Sequence, residues 1–200
     1  MNKIVWFRYD LRLIDNEAFL NATKNGNILP IFIFDEGYFK LEVSSSFHLK
    51  FIIESIDELD SKLQKQFGAN LNIYYGNTLE ILKKITEKFN INQVFSNKIF
   101  KNKYLYDLDL NLKNFFISKN VKWNFYNQFG IQLNHRERYK WSANWNKFIN
   151  SELTTSKSNC KFLFDQKQHF CFHIKPELFF SLLNFVLVFR SKNYTLECNI

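Results

Sequence analysis

Charged and amide side chains recur in this sequence at the points where apolar, strand-like runs end. Arg8, Asp10 and Arg12 follow the first such run, Asp35 ends the second, and Asn97 ends a later one. In an open parallel α/β sheet, ligands bind beyond the carboxyl ends of the strands, where backbone amides and helix amino termini are exposed. The sequence therefore predicts a ligand pocket at that edge. A purely structural interpretation stays open, because Asp10 and Arg12 could pair with each other or cap the next helix.

The elements that would position these side chains are short apolar runs that alternate with stretches of helical period. Strands are predicted at residues 4–8, 28–35, 70–75, 93–97 and 121–126. Helices are predicted at residues 16–24, 46–67, 79–89 and 103–118. Alternation of this kind is typical of parallel strands joined by right-handed helical crossovers. We expect an α/β fold, with an open, doubly wound, five-stranded parallel sheet of the Rossmann-like class and helices on both faces.

The composition indicates one domain with a basic surplus. The 200 residues include 27 basic and 19 acidic side chains, which gives a formal net charge of +8. Such a surplus permits weak attraction to nucleic acid, but lysines scattered over a solvated surface explain it better. The chain is long enough for one good core and too short for two ordinary domains with linkers.

Cysteine usage and hydropathy bear on the compartment. The three cysteines lie at positions 160, 171 and 198, so no disulfide framework can hold the first part of the chain. That usage fits a reducing cytoplasm. The most apolar run, residues 178–189, is well short of the roughly 20 residues that cross a bilayer. We expect a cytoplasmic protein without a membrane span. We expect no metal site either, because His169, Cys171 and His173 lack a fourth ligand.

One segment near the amino terminus has a far more specific pattern. Residues 6–16 read Trp-Phe-Arg-Tyr-Asp-Leu-Arg-Leu-Ile-Asp-Asn, which is an aromatic pair, Arg, one variable residue, Asp-Leu-Arg, and then Asp-Asn before a helix. The segment resembles the first strand and loop of the photolyase/cryptochrome family. The resemblance continues through residues 30–35, 47–63, 74–77 and 94–97. It covers about the first 130 residues, with a weaker match up to about residue 150.

The resemblance implies the amino-terminal α/β domain of that family, which holds an auxiliary light-harvesting chromophore called the antenna. By position, the residues that would border a deazaflavin- or flavin-type antenna site are Arg8, Asp10, Arg12, Phe34, Asp35 and Lys50. Asn97 and Asn102 lie on the side used for a folate. The family usually has a Tyr-Glu pair where this chain has Phe100-Lys101, and an ammonium offers no acceptor to a pterin. We therefore expect a deazaflavin or FMN rather than a folate.

The resemblance also implies a domain organisation. Residues 1–130 would form the α/β domain, residues 131–150 would begin an interdomain linker, and residues 151–200 would be a divergent or out-of-frame tail. In the family, FAD belongs to a helical domain that would follow, where it donates an electron to a cyclobutane pyrimidine dimer flipped out of DNA. Trp141 and Trp145, spaced i, i+4, would share a helix face that packs on that domain or is exposed here.

The functional expectation follows from that organisation. We expect a truncated photolyase-like protein that retains the antenna domain, has no repair activity or catalytic residues of its own, and binds DNA weakly or not at all. The alternative is a stand-alone flavin- or nucleotide-binding module or partner subunit. A third interpretation is the functionless product of a decayed gene.

Overall fold

The computed structural model describes residues 1–39, 46–99, 102–127, 141–153 and 160–165. The strands of the described residues are β1 (Asn2–Phe7), β2 (Asn27–Asp35), β3 (Asn72–Gly76), β4 (Ile91–Asn97), β5 (Lys122–Tyr126) and β6 (Lys161–Phe162). The helices are α1 (Glu17–Ala22), α2 (Glu36–Phe39), α3 (Ser46–Phe67), α4 (Thr78–Lys88), α5 (Lys103–Ser118) and α6 (Trp141–Ile149).

The strands form one sheet in the order β3-β2-β1-β4-β5, and β6 pairs with the start of β2. Every one of these pairings is parallel. The chain thus proceeds outward from β1 in both directions, as a doubly wound sheet requires. The predicted α/β, Rossmann-like fold is confirmed.

The core lies on both faces of β1 and β2. Successive side chains of a strand point to opposite faces, so Val5 and Phe7 pack towards α1 and α3, while Ile4 and Trp6 pack towards α4 and α5. All four side chains are nearly inaccessible to solvent. A strand that is buried on both faces reads as a continuous apolar run, which is why these two strands could be located from the sequence.

Residues 160–165 join this domain, although the sequence predicted them to lie in the tail. The amide of Leu163 donates a hydrogen bond to the carbonyl of Ile28 at 2.7 Å. The ring of Phe162 packs against Phe67, with 5.6 Å between the ring centroids. Sequence patterns could not predict β6, because a strand of two residues is too short to show an alternation.

Several predictions fall on residues that the structure does not describe. Phe100 and Lys101, the first half of the predicted linker (residues 131–140) and residues 166–200 lie outside the described residues. The domain boundaries at residues 130 and 150 and the out-of-frame interpretation therefore stay predictions. Among the helices that the structure describes, none combines the length and the apolar character needed to cross a bilayer.

Candidate functional site

The carboxyl ends of β1, β2 and β4 lie side by side, because β1 pairs with both of the other strands. Arg8 and Asp10 follow β1, Asp35 ends β2 and Asn97 ends β4. All four residues are buried. The topology therefore brings together the polar residues that the sequence singled out at strand ends, and their partners decide what each can do.

Asp10 is the centre of a buried hydrogen-bond network. Its Oδ1 accepts a bond from the Arg8 amide at 2.9 Å. Its Oδ2 accepts from Asn16 Nδ2 at 3.1 Å and from Asn97 Nδ2 at 2.6 Å. Asn16 in turn caps α1, since its Oδ1 accepts from the Phe19 amide at 3.0 Å. The Asp10 carboxylate is thus occupied by protein donors, and it fixes the turn after β1 and the start of α1.

Asn97 supplies an acceptor that has no partner among the described residues. Its Nδ2 donates to Asp10 and, at 3.0 Å, to Asn16 Oδ1, so the amide orientation is set by these two bonds. Its Oδ1 is buried and receives no hydrogen bond from the described part of the protein. An unsatisfied buried acceptor costs about 1–3 kcal/mol, so a bound water or a ligand N–H group would be stabilised there.

Arg8 is held by an acidic partner that the sequence reasoning missed. Its guanidinium donates two hydrogen bonds to Asp109 on α5, from Nη1 to Oδ2 at 3.1 Å and from Nη2 to Oδ1 at 2.7 Å. It also lies 4.3 Å from the ring centroid of Trp6. A bidentate ion pair of this kind is strong and directional. One signal was available: Asp109 lies four residues after Leu105 and three before Leu112, both of which are buried on the inner face of α5.

Asp35 joins three elements through its two carboxylate oxygens. Oδ1 accepts from the Tyr38 amide at 2.8 Å and from the Tyr104 hydroxyl at 2.6 Å. Oδ2 accepts from the Thr78 amide at the first residue of α4, at 3.1 Å. Burial and the hydrogen bond to Asp35 raise the pKa of Tyr104, so this phenol stays protonated and donates at neutral pH.

Two other predicted residues lie at the surface. Arg12 donates from Nε and Nη2 to the carbonyl of Asp15 at 3.3 and 3.1 Å, and its side chain is about two-fifths exposed. Lys50 is exposed on α3. Arg12 therefore stabilises its own turn.

The remaining two predicted residues have structural contacts. Phe34 is buried, with its ring centroid 4.9 Å from that of Phe32 and 5.7 Å from that of Phe39. Asn102 caps α5, because its Oδ1 accepts a hydrogen bond from the Leu105 amide at 3.1 Å. The sequence placed Asn102 near a folate, and its position at a helix start explains the residue type by itself.

A small aromatic cleft lies at the ends of β1 and β2. Its aromatic lining residues are Trp6, Tyr9, Phe32, Tyr38 and Phe39. Of the residues predicted to bind a chromophore, Arg8 and Asp35 line it. Its volume of about 30 Å³ has room for about one water, whereas sites for drug-sized ligands occupy roughly 300–1,000 Å³. A chromophore would therefore enter only if part of the wall moved.

Two tyrosines form one wall of this cleft. The rings of Tyr9 and Tyr38 meet edge to face, with 5.7 Å between their centroids. Burial raises the pKa of Tyr9, and a hydrogen bond to Tyr38 raises it further. The two rings are thus positioned to pack against a flat ring system.

Comparison with known proteins identifies the family. A family model described as DNA photolyase matches residues 3–124, and the chain therefore belongs to the DNA photolyase family. This confirms the predicted family. Cryptochrome-1 of Aedes aegypti is 33% identical over 101 residues, which are 47% of this chain and 18% of that protein. A chloroplastic/mitochondrial cryptochrome DASH of Solanum lycopersicum is 33% identical over 102 residues, or 48% of this chain and 18% of that protein. The matched region spans about a fifth of the length of these relatives.

Solved structures support the same fold. An archaeal photolyase from Sulfolobus tokodaii, described as containing two FAD molecules and as implying a novel light-harvesting cofactor, superposes with a TM-score of 0.70 at 21% identity. The match covers 98% of this chain and 43% of that one. A class III photolyase from Agrobacterium tumefaciens gives a TM-score of 0.63 at 22% identity, over 80% of this chain and 35% of the other. At these identities the likeness shows the fold alone.

Proposed function

We propose that these 200 residues act as the antenna domain of a photolyase- or cryptochrome-type protein and bind a flat aromatic chromophore at the carboxyl ends of β1 and β2. The observation that carries the proposal is the aromatic cleft at this edge, which lies beside the Asp35 carboxylate. The position also agrees with the general rule for ligands of open α/β sheets. The light-harvesting cofactor implied for the archaeal photolyase supports the same kind of role.

A deazaflavin or FMN suits this site better than a folate. The rings of Trp6, Tyr9, Phe32, Tyr38 and Phe39 offer apolar faces and edges to a fused ring system. Asp35, by contrast, already accepts three hydrogen bonds from the protein, which leaves it poorly suited to recognise a pterin amino group. When bound, the chromophore would absorb near-ultraviolet or blue light, and the cleft residues would orient it and exclude water.

We also propose that these residues do not repair DNA by themselves. At the candidate site, Arg8 is paired with Asp109, Asp10 accepts bonds from two asparagines, and Asp35 holds three donors. These groups stabilise the fold and are not positioned to act on a nucleobase. We further propose that the chain binds DNA weakly or not at all and that it is located in the cytoplasm.

One observation favours the alternative of a stand-alone binding module. Residues 160–165 continue the edge of the sheet beside β2 and bury Asp165, which is 4% exposed. The Asp165 amide also donates to Asn72 Oδ1 at 2.8 Å. A segment that completes the domain in this way is expected of a protein whose later residues have been retained in frame.

Titration with candidate chromophores tests the proposal. FMN, an 8-hydroxy-deazaflavin and a reduced folate are added to the purified chain, and binding is followed by fluorescence and absorption. We expect one equivalent of FMN or deazaflavin to bind, and Tyr9→Leu to weaken that binding by about tenfold, because the variant removes a ring from the cleft wall. Tyr106→Leu is the matched control, since Tyr106 is 65% exposed on α5.

Several outcomes would contradict the proposal. They are equal affinity in wild type and Tyr9→Leu, binding of the folate alone, or no binding of any chromophore.

A separate experiment tests the proposed lack of repair: the chain is illuminated with DNA that contains cyclobutane dimers, in the presence of reduced FAD. We expect the dimers to persist, and their light-dependent loss would overturn that part of the proposal.

A further inference from the structure

We propose that Tyr104 and Gly37 form a clasp, closed by Asp35, that sets the size of ligand admitted to the cleft. The inference rests on the proposed function and deepens it, because it assigns specificity-determining residues to the same site. The clasp is defined by three contacts among the end of β2, α2 and the first turn of α5.

The first contact is the close packing of the Tyr104 ring on Gly37. A Cβ atom built on Gly37 would overlap the Tyr104 hydroxyl and would lie 2.7 Å from Cζ of the ring. No side chain fits at position 37 while Tyr104 keeps its place. A side chain at position 37 would therefore displace the Tyr104 ring.

The other two contacts converge on one oxygen of Asp35. The Tyr104 hydroxyl donates to Oδ1 at 2.6 Å, and the Tyr38 amide donates to the same oxygen at 2.8 Å. Hydrogen bonds to a carboxylate are stronger than those between neutral groups. α2 has four residues, so a single carboxylate oxygen connects much of this short helix to α5.

The clasp controls the cleft because both of the elements it joins line that cleft. Tyr38 and Phe39 of α2 and Leu105 and Leu108 of α5 are lining residues. With the clasp closed, the volume of about 30 Å³ is too small for a fused three-ring system. Movement of the first turn of α5 away from α2 and the end of β2 would enlarge the cleft, and it requires the Tyr104 to Asp35 bond to break.

Binding then depends on the fraction of molecules with an open clasp. When a ligand binds only one conformation, its apparent dissociation constant is raised in inverse proportion to the population of that conformation. A variant that opens the clasp should therefore bind a large chromophore more tightly. If Tyr104 instead touched the chromophore, its truncation would weaken binding.

Titration of clasp variants with FMN distinguishes these two cases. Tyr104→Phe keeps the ring and removes the hydroxyl, and Gly37→Ala displaces the ring. We expect each to lower the dissociation constant for FMN by about fivefold or more, and Tyr106→Phe, at the exposed position on the same helix, to leave it unchanged. Binding to wild type with equal or weaker binding to both variants would overturn the clasp while leaving the proposed function intact. No binding to any of the four proteins would overturn both.

Hydrogen exchange without ligand tests the clasp directly. The amide of Tyr38 is protected by Asp35, and the clasp holds both groups in place. We expect this amide to exchange at least about fivefold faster in Tyr104→Phe than in wild type or Tyr106→Phe, with amides of β1 unaffected. An unchanged rate at Tyr38 in Tyr104→Phe would overturn the inference whatever the titration shows.

Discussion

Charged side chains are buried at both ends of the sheet. At the amino end, Lys3 and Asp165 are 3% and 4% exposed. At the carboxyl end, Arg8 and Asp35 are 5% and 7% exposed. The amino-end charges are also satisfied. The Lys3 ammonium donates to the carbonyls of Ala22 and Asn25 and to Asn25 Oδ1 at 3.3, 2.6 and 2.7 Å. Asp165 accepts from Lys88 and Tyr74, at 2.6 and 3.2 Å.

The difference between the two ends lies in what surrounds the charges. The carboxyl end adds an aromatic cleft and the Oδ1 of Asn97, which receives no hydrogen bond from the described residues, whereas Asp165 at the amino end anchors a two-residue strand. Buried charges need partners wherever they lie, so their presence at strand ends does not mark a ligand site. The aromatic cleft therefore distinguishes the carboxyl end, and the following substitutions compare the two ends.

The largest effect is expected from Asp109→Ala. The change leaves the guanidinium of Arg8, whose side chain is 3% exposed, without its carboxylate. Removing one partner of a buried ion pair costs about 3–5 kcal/mol of the free energy of unfolding, and urea denaturation measures it. Asp107→Ala is the matched control, since Asp107 is exposed on the same helix, and its effect should stay within about 0.5 kcal/mol. Equal losses in both variants would mean that breaking the Arg8–Asp109 ion pair costs no more stability than removing an exposed carboxylate.

Asp165→Ala makes the corresponding break at the amino end. The Tyr74 hydroxyl loses its acceptor, and Lys88, which is about half exposed, turns to solvent. We expect the free energy of unfolding to fall by about 1–3 kcal/mol, less than for Asp109→Ala, because the group left without a partner, the Tyr74 hydroxyl, is neutral. Glu152→Ala serves as the control, at an exposed position before the segment. Unchanged urea stability in Asp165→Ala would mean that residues 160–165 do not stabilise the domain.

High pH should weaken the amino end through Tyr74. Burial, followed by the nearby Asp165 carboxylate, raises the pKa of Tyr74 above its ordinary value of 10. The folded state therefore keeps a proton that the unfolded state loses above pH 10, and stability conferred by this tyrosine falls as pH rises. The stability difference between wild type and Tyr74→Phe should shrink by roughly 1 kcal/mol per pH unit between pH 10 and 11. Urea curves that stay equally separated from pH 9 to 11 would contradict this.

The smallest effect is expected from α6, which provides a baseline for both ends. None of its residues is buried, and Trp141 is 49% exposed while its ring stacks on Trp145 at 5.7 Å. Trp141→Ser should change the free energy of unfolding by less than about 0.5 kcal/mol and should reduce aggregation in light scattering, because it removes exposed apolar surface. A loss above about 2 kcal/mol would show that α6 packs on the domain in solution.

The sequence allowed the sheet and the residues at its edge to be predicted, because both follow from local patterns. Buried parallel strands read as apolar runs, and the rule for strand ends placed Arg8, Asp10, Asp35 and Asn97 together. Their partners could not be predicted in the same way. Asp109 and Tyr104 come from a helix about 70 to 100 residues further along the chain, and only the packing of α5 brings them to the edge.

Elements without periodicity were also missed. α2 has four residues and β6 has two, which is shorter than any repeat that a pattern could show. Both matter to function or stability, since α2 contributes Tyr38 and Phe39 to the cleft. The family resemblance predicted an antenna site near these strand ends, and the narrowness of the cleft became visible only in three dimensions.

The absorption spectrum of the chain purified from its native host tests the central claim most directly. The absorption of the protein is recorded between about 300 and 500 nm and compared with that of its denatured and ligand-stripped form, and the released chromophore is quantified. We predict a stoichiometric deazaflavin or flavin band that disappears on stripping and returns on reconstitution. A spectrum of bare protein that stays bare after incubation with FMN, deazaflavin and folate would contradict the claim that the carboxyl edge of this sheet is a chromophore site.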